Sequence, residues 1–368
     1  MSATTPRILI NVLSVAGGGG HSYAFNLIRE LDRDARGFHF TFLIPPGRLE
    51  EIETEHVTLQ PVRLFGSGRA LSVVARFAYE QLVLPIRARR YDVVYAAADL
   101  ASPFFSVPVV IALRNLNIYD HTYYDTLRLR VLAKLVRVGI RRATRMIFPS
   151  RAAATAISER MALPDHIVRV VPHGVDTDAF DRASDREGGT PFLFLPAAIE
   201  RHKNIEVLID AIPHLSDARI EFRIAGTTST DPVYVDELLA RARRIGVEDR
   251  FRLLGPVPYE RVVSFYRGAI ALVFPSMLET FGHPMLEAMV AGTPVIASDI
   301  PAFREIGKDA ALFFPPSDPV ALARMIDELL ANSNQREELI AKGREQSASF
   351  SWRKSTDALC AVFREVLE

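Results

Sequence analysis

Short apolar runs alternate along this chain with longer stretches in which apolar residues recur at helical spacing. The first half opens with RILINVLSV, a glycine run, and an apolar periodicity from Tyr23 to Leu31 that is typical of a helix. Further short apolar runs follow in FHFTFLI, YDVVYAA, VPVVIAL and RMIFPS. Strands that alternate with helices in this way predict a parallel sheet covered by helices on both faces.

The same pattern starts again in the second half. VRVVPHGVD is typical of a strand that ends in a Pro/Gly turn, and the polar tract DRASDREGGT after it has no periodicity, so we predict the domain linker there. The runs PFLFLPAA, ARIEFRIAG, RFRLLG, AIALVFPS, TPVIASD and ALFFPP then predict a second α/β domain. We expect an N-terminal domain over residues 1–184, a C-terminal domain over 185–349, and a helix over 350–368 that packs back on the N-terminal domain.

Composition supports two folded domains. The chain has 368 residues, of which 49% are hydrophobic and 24% charged, a balance that argues against disorder. The single cysteine, Cys360, excludes an internal disulfide, and no apolar stretch approaches the roughly 20 residues of a membrane-spanning helix. Glycines follow the apolar run after Arg7, which favours a buried first strand over a signal peptide. These features predict a cytoplasmic protein.

The segment from Pro275 to Asp299 carries the chemistry. A strand is predicted to end at Phe274, a loop to run from Pro275 to His283, and a helix to begin with Pro284 at its first position. The unpaired amides of that first turn suit a phosphate. Glu279 lies in the loop and Glu287 one turn into the helix, and carboxylates readily accept hydrogen bonds from vicinal hydroxyls. The alternative is a capped surface helix with solvated glutamates.

This segment resembles glycosyltransferase family 4. The resemblance rests on the E-x7-E arrangement in ETFGHPMLE and on AMVAGTPVIASDIPAFREI after it, and it extends through HKNIEVLIDAI, FRIAG, FRLLGPV and FFPPSDP over most of residues 191–350. The N-terminal half matches mainly in its glycine loop and VPHGVD. The resemblance implies a GT-B fold, in which two Rossmann-like domains face an interdomain cleft.

The resemblance also implies roles for individual residues. Glu279 would contact the donor sugar hydroxyls, Glu287 the ribose, and Lys203 the diphosphate. Thr280 leads into the helix terminus, where the amides of Phe281 and Gly282 would contact the sugar or the diphosphate. Val257 falls where family members contact the nucleobase through the main chain.

The chain departs from the family pattern at two positions. Ala198 replaces an arginine that the family places five residues before its phosphate lysine, and Arg201 could compensate. Arg114 and Asn115 stand where many members have a histidine near the reacting sugar carbon. Arg114 is therefore a candidate catalytic residue for phosphate charge or the acceptor, and the alternative is a structural strand-end arginine. Asn115 and the nearby Asp120 and His121 are candidates for the acceptor side.

The glycine run from Gly17 to Gly20 allows close backbone approach, so Gly18 and Gly19 are candidates for donor binding and His21 for the acceptor side. A flexible turn is the alternative. A dinucleotide fingerprint is disfavoured, because Ser22 occupies the third glycine position and the second strand ends without a ribose-binding acid.

Charge is uneven along the chain although the net charge is zero. Residues 1–180 carry 22 basic and 16 acidic side chains, so this half is expected either to face an anionic partner or to attract the acidic half. Basic residues spaced three and four apart predict one helical stripe, which would suit anionic lipid or a lipid-diphosphate acceptor. The alternative is a solvated helix face. Nucleic-acid binding is less favoured, because no recognised binding module accompanies the stripe. The stripe comprises Arg130, Lys134, Arg137, Arg141 and Arg145.

The leading hypothesis is a retaining glycosyltransferase that moves a hexosyl group from a nucleoside diphosphate sugar to a glycan, lipid-linked or small-molecule hydroxyl. The resemblance implies front-face attack, in which the leaving phosphate accepts the proton of the acceptor, so neither a protein base, a cofactor nor a metal is required. Nucleic acid is not an expected partner. Peripheral contact with the inner face of an anionic membrane and a solvated helix face are the two alternatives for the basic stripe. The alternatives are a catalytically weak sugar-nucleotide-binding partner of another transferase, and a GT-B nucleotide-sugar epimerase.

Overall fold

A computed structural model describes residues 5–14, 19–63, 69–120, 122–182, 185–228 and 231–368, without the side chains of 69–72 and 128. The chain divides into two compact units, one formed by residues 1–174 with 352–368 and the other by 175–351. The boundary lies ten residues before the predicted one, because Val175 and Phe180 are buried in the core of the second unit. The polar tract predicted as a linker is thus part of that unit.

The strands described in the first unit form one parallel sheet in the order β3-β2-β1-β4-β5-β6-β7. Parallel strands are covered on both faces, which explains their nearly continuous apolar runs. The strands are β1 (Arg7–Asn11), β2 (His39–Ile44), β3 (Thr58–Pro61), β4 (Val93–Ala96), β5 (Val109–Ala112), β6 (Ala143–Phe148) and β7 (Val168–Val170). The helices between them are α1 (Gly19–Arg33), α2 (Arg69–Ala78), α3 (Leu84–Ala88), α4 (Leu127–Ile140) and α5 (Arg151–Met161), with a π-helical turn, Tyr79–Val83, between α2 and α3.

The second unit repeats this plan with the strand order β10-β9-β8-β11-β12-β13, again all parallel. Its first elements are α6 (Thr177–Arg182), β8 (Phe192–Pro196), α7 (Glu206–Ala211), β9 (Glu221–Ala225), α8 (Pro232–Arg244), β10 (Phe251–Gly255) and α9 (Tyr259–Gly268). They are followed by β11 (Leu272–Phe274), α10 (His283–Ala291), β12 (Val295–Ser298), α11 (Pro301–Gly307), β13 (Leu312–Phe314), α12 (Pro319–Ala331) and α13 (Ser333–Ala348). The predicted pair of doubly wound α/β domains is confirmed.

The last helix, α14 (Trp352–Leu367), belongs to the first unit and packs on α1, β4 and β6. Phe363 is fully buried, with its ring edge-on to Phe38 and Tyr95. Near the end of the helix, hydrogen bonds from Arg169 and Arg145 lower the pKa of Glu365 to about 2. Aromatic packing and this ion-paired carboxylate together fasten α14 to the sheet.

The predicted basic stripe is wrong at its C-terminal end. Helix α4 stops at Ile140 with Arg141 as its C-cap, and Arg145 lies on β6, where its Nε donates to Glu365 at 3.0 Å. Its spacing continues the helical period, but the chain turns between the two elements. Within the described ranges, no helix has both the length and the apolar composition needed to cross a bilayer.

Gly226 lies directly after β9. Among the described glycines of the second unit, it leaves the least room for a Cβ beside a neighbouring backbone atom. A Cβ at this position would lie 1.9 Å from the carbonyl oxygen of Ala197. We expect Gly226→Ala to lower the free energy of unfolding by at least about 2 kcal/mol, because the neighbouring atom is backbone and cannot rotate away. Gly188→Ala, where a Cβ meets nothing within 4 Å, is the control. Equal urea midpoints for the two variants would contradict this prediction.

Candidate active site

Two loops of the second unit meet at the point where its strand order reverses. β8 lies between β9 and β11, so the turn after β8 and the loop after β11 leave neighbouring strands at the same edge of the sheet. The first loop carries Lys203 and the second Glu279, and the Nζ of Lys203 lies 2.5 Å from Oε1 of Glu279. Their side chains are only 17% and 15% exposed. Two residues predicted separately are therefore one ion pair.

Asn204 holds the turn that carries Lys203. This residue ends the 3-10 turn Arg201–Lys203 in the left-handed conformation, with φ of 53°. Its Nδ2 donates to the carbonyl oxygens of Pro275 at 3.1 Å and Pro316 at 2.8 Å. One side chain thus joins the loops that follow β8, β11 and β13, and sequence reasoning did not identify it.

His202 is a second residue that the sequence analysis missed. It is buried, its Nδ1 lies 3.4 Å from Oε2 of Glu200, and its carbonyl oxygen accepts a hydrogen bond from the amide of Met277 at 2.8 Å. Burial, followed by the positive charge of Lys203, lowers the pKa of His202 to about 4. Burial also raises the pKa of Glu200. The imidazole is consequently neutral at physiological pH.

Helix α10 begins at His283, one residue before the predicted first position, Pro284. Gly282 is its N-cap with φ of 115°, a conformation that side chains disfavour, and Pro284 lies in the first turn. The Phe281 side chain is buried and packs edge-on against His283 and Phe350, so only its main chain can serve a ligand. This arrangement presents the amino end of α10 beside the ion pair.

Glu287 is half-buried and has two tyrosine partners. Its Oε1 accepts a hydrogen bond from Tyr259 at 2.9 Å and its Oε2 accepts one from Tyr266 at 2.8 Å. Burial raises the pKa of Glu287, and the two hydrogen bonds partly oppose that shift. Each oxygen retains a second lone pair, so the carboxylate can still accept a ligand hydroxyl. Neither tyrosine was predicted as part of the site.

The structure does not direct Arg201 to the place left by the missing family arginine. Its guanidinium pairs with Glu237 at 2.9 Å and Asp231 at 3.2 Å, both at or on α8. Ala198 itself follows Ala197, whose backbone packs against Gly226. Thr280 is partly exposed in the loop before α10, and Val257 is partly buried after β10.

In the first unit Arg114 lies two residues after β5, in an aromatic setting. Its Cζ lies 3.2 Å from the centroid of the Tyr23 ring, and the Tyr23 hydroxyl lies 2.7 Å from that of Tyr95. The buried carboxylate of Asp99 accepts hydrogen bonds from the backbone amides of Arg114 and Asn115. Arg114 is thus held over an aromatic face at the carboxyl edge of the first sheet.

The remaining candidates of the first unit are dispersed. The Asn115 side chain caps a 3-10 turn through the amide of Asn117, and Asp120 pairs with Arg160 at 2.7 Å. His21 stacks on Phe25 near the start of α1, whose first residue is Gly19. Two candidates, Gly18 and His121, lie outside the described residues.

Both parts of the chain match family models. The model described as Glycosyltransferase Family 4 matches residues 17–179, and the one described as Glycosyl transferases group 1 matches residues 176–346. D-inositol 3-phosphate glycosyltransferase of Xylanimonas cellulosilytica is 31% identical over 54% of this chain and 51% of its own length. Phosphatidyl-myo-inositol mannosyltransferase of Mycobacterium leprae is 31% identical over 53% of each chain. The chain spans about half the length of the curated relatives it matches.

Solved structures agree over nearly the whole chain. Sucrose-phosphate synthase of Thermosynechococcus elongatus superimposes with a TM-score of 0.78 at 20% identity, covering 98% of this chain and 99% of its own. HepE of Anabaena, in complex with UDP and glucose, has a TM-score of 0.76 at 17% identity, covering 98% of this chain and 100% of its own. Two parallel-sheet units with this strand order define a protein of the GT-B class. With the two family matches, the chain belongs to glycosyltransferase family 4.

The buried imidazole of His202 generates a prediction about pH. The pKa of this histidine is 6.5 in the unfolded chain and about 4 in the folded protein. Between these two pH values the unfolded chain therefore binds a proton that the folded protein does not. The free energy of unfolding should therefore fall as pH drops from 6.5 to about 4, by up to about 3 kcal/mol, and be unaffected by this group above 6.5.

Urea unfolding at pH 7.5 and 4.5 would test this prediction against His202→Gln, which has no titrating ring. Glu200 titrates in the opposite sense in both proteins, so the difference between them isolates the histidine. An equal loss of stability in the two proteins would show that His202 is not held neutral.

Proposed function

We propose that the chain is a retaining glycosyltransferase that moves a hexosyl group from a nucleoside diphosphate sugar to a glycan, lipid-linked or small-molecule hydroxyl. The observation that carries this proposal is the pair of Lys203 and Glu279 beside the amino end of α10. It supplies a cation for a diphosphate and a carboxylate for sugar hydroxyls, at the carboxyl edge of a parallel sheet. The second unit is then the donor domain and the first the acceptor-side domain.

The ion pair explains how both groups tolerate burial before the donor binds. A poorly solvated charge is costly unless an opposite charge compensates it. A diphosphate would compete for the Nζ of Lys203 and so release Oε1 of Glu279, which then accepts hydrogen bonds from the donor sugar. Donor binding thus exchanges one charge-assisted contact for two.

The transfer step follows from the same groups. The bond between the anomeric carbon and the leaving phosphate oxygen breaks, and negative charge develops on the diphosphate. Lys203 and the first-turn amides of α10 would stabilise that charge. The acceptor hydroxyl attacks the same face of the sugar and gives its proton to the leaving phosphate oxygen. This route uses neither a protein base nor a metal, and metal independence stays a prediction.

On the acceptor side, Arg114 is the candidate that the structure supports best. It is a cation held over the Tyr23 ring, with the Tyr23 and Tyr95 hydroxyls close by. Relatives named for D-inositol 3-phosphate and phosphatidyl-myo-inositol support an acceptor with hydroxyl groups and a phosphate. The named relatives are transferases, so neither a weak binding partner nor an epimerase is favoured.

A donor panel with a Glu279 variant tests the proposal. The full chain should turn over at least one UDP, GDP or ADP sugar. Glu279→Ala should lower kcat/KM about 10- to 100-fold, since it removes charge-assisted hydrogen bonds to the sugar, while the Kd of the free nucleoside diphosphate changes less than about threefold. Glu328→Ala on α12 is the control. Nucleotide binding without turnover of any donor would refute the transferase, and equal losses of kcat/KM and nucleotide affinity would refute the role of Glu279.

We also propose peripheral contact of the first unit with an anionic membrane at its cytoplasmic face. Helix α4 exposes three apolar side chains along one face, Leu127, Val131 and Val138, with exposures of 79%, 48% and 43%. Exposed basic side chains accompany them, with Lys134 on the same face and Arg137 and Arg141 at its side. A helix face that combines apolar and basic side chains is the surface that an anionic bilayer attracts.

Further exposed apolar residues lie in a loop that contacts the end of α4. The side chain of Phe104 is 66% exposed. Arg142, which follows the C-cap of α4, holds the Phe104 loop, because its guanidinium donates to the carbonyl oxygens of Pro103 and Phe105. The same loop contacts the π-helical turn through Ser102, whose hydroxyl donates to the Gln81 carbonyl oxygen. Leu82 in this turn and Ile86 in α3 are exposed as well.

Liposome flotation tests the membrane proposal. Neutralising Lys134, Arg137 and Arg141 to Gln should lower binding to vesicles rich in phosphatidylserine at least tenfold, given about 1 kcal/mol for each basic residue at an anionic surface. Arg243→Gln with Arg244→Gln on α8 is the control. Arg130 is left unchanged because it pairs with Asp125. If the triple variant floats as well as the unmodified chain, the surface is a solvated helix face.

A further inference from the structure

A cavity of about 560 Å³ lies at the amino edge of the second unit's sheet, away from the loops that carry Lys203 and Glu279. Ala269 and Ile270 line it just before β11, and Thr293 and Pro294 line it just before β12. The strands are parallel, so these residues lie at the edge opposite the candidate active site. The cavity is thus a separate feature of this unit.

Four arginines from separate parts of the chain line this cavity. Arg336 and Arg344 lie two turns apart on α13, with Ile340 between them on the same face. Arg267 lies in the last turn of α9, and Arg186 lies between α6 and β8. Their convergence from three segments is not a consequence of one helix face.

Within the part of the chain that the structure describes, no acidic residue lines the cavity, and none of the four arginines forms an ion pair with a carboxylate. Other arginines of the unit differ, since Arg241 and Arg304 each pair with a carboxylate at 2.6 and 2.7 Å. Glu187 lies near Gly268 but pairs with Arg261 at 3.4 Å. The positive charge of the cavity is therefore uncompensated by these side chains.

The negative ends of two helices neutralise only part of the positive charge in the cavity. The carboxyl ends of α9 and α10 border the cavity at Gly268 and Gly292, and each helix end carries roughly half a negative charge. Arg267 also donates to the carbonyl oxygen of Phe180 at 2.5 Å. Four guanidinium groups against about one negative charge leave an excess of about three positive charges. Capping the two helices does not need so many cations.

We propose that this cavity is a second ligand site, which binds a small phosphorylated molecule bearing at least two phosphate groups. Guanidinium groups bind phosphate oxygens through paired hydrogen bonds, and an excess of about three charges matches a di- or bisphosphate better than a single phosphate. Ile270, Pro294 and Ile340 give the cavity an apolar wall that accommodates the organic part of such a ligand. The proposal does not depend on the transferase activity.

Calorimetric titration of the full chain with inorganic pyrophosphate tests the site. The donor site could also bind pyrophosphate, so the titration is repeated on Lys203→Ala, which should retain binding at the cavity. Arg336→Gln combined with Arg344→Gln should raise the Kd of the retained site at least tenfold. Arg243→Gln with Arg244→Gln makes the same charge change elsewhere on the unit and should alter the Kd less than threefold. Orthophosphate at equal ionic strength should bind more weakly than pyrophosphate.

Three results would overturn the proposal. The first is loss of all pyrophosphate binding in Lys203→Ala, which would assign the binding to the donor site alone. The second is an unchanged Kd in the double arginine variant, with thermal melting showing that it is folded. The third is binding of a nucleic acid or acidic vesicles through these arginines without pyrophosphate binding, which would replace the small ligand with a macromolecular partner. None of these outcomes depends on donor turnover.

Discussion

Parallel strand pairing constrains everything else in this molecule. A parallel sheet needs a crossover between successive strands, so its helices cover both faces and its loops gather at two opposite edges. In the second unit the strand order reverses at β8, which places the loops after β8 and β11 side by side. Lys203 and Glu279 are neighbours for this reason, although 76 residues separate them in the chain.

The candidate site is built by compensating buried charge as much as by placing reactive groups. Lys203 has an anionic partner at 2.5 Å, and its charge contributes to keeping the adjacent imidazole of His202 neutral. Glu287 keeps its carboxylate within reach of two tyrosine hydroxyls. Each of these groups therefore has a compensating partner, or is held neutral, before any ligand arrives.

The sequence predicted the fold well because strands buried on both faces have apolar runs that are easy to recognise. It also predicted the start of α10 to within one residue, since Pro284 has a conformational preference that marks the first turn of a helix. It could not predict which distant side chains meet. The pairing of Lys203 with Glu279 and of Glu287 with Tyr266 depends on strand order and helix packing, which no local pattern encodes.

Two predictions drawn from local patterns were inaccurate for related reasons. The spacing of the basic residues continues from α4 into β6, and no glycine or proline between Arg141 and Arg145 marks the end of the helix. The polar tract after Phe180 lacks periodicity and so predicts a boundary, yet Phe180 is buried in the second core and holds α6 there. In both cases tertiary contacts, rather than local composition, decide where an element ends.

The path of α14 has a consequence for how the protein can be divided. The second unit is topologically an insertion into the first, because the chain enters it after residue 174 and leaves it before residue 352. Val175 and Ser351 form a bridge, so the two ends of the insertion are adjacent. A fragment truncated at Gly174 would lack Cys360 and Phe363 from its core. Isolating the first unit requires splicing residues 352–368 to its end, whereas the second can be excised as one continuous segment.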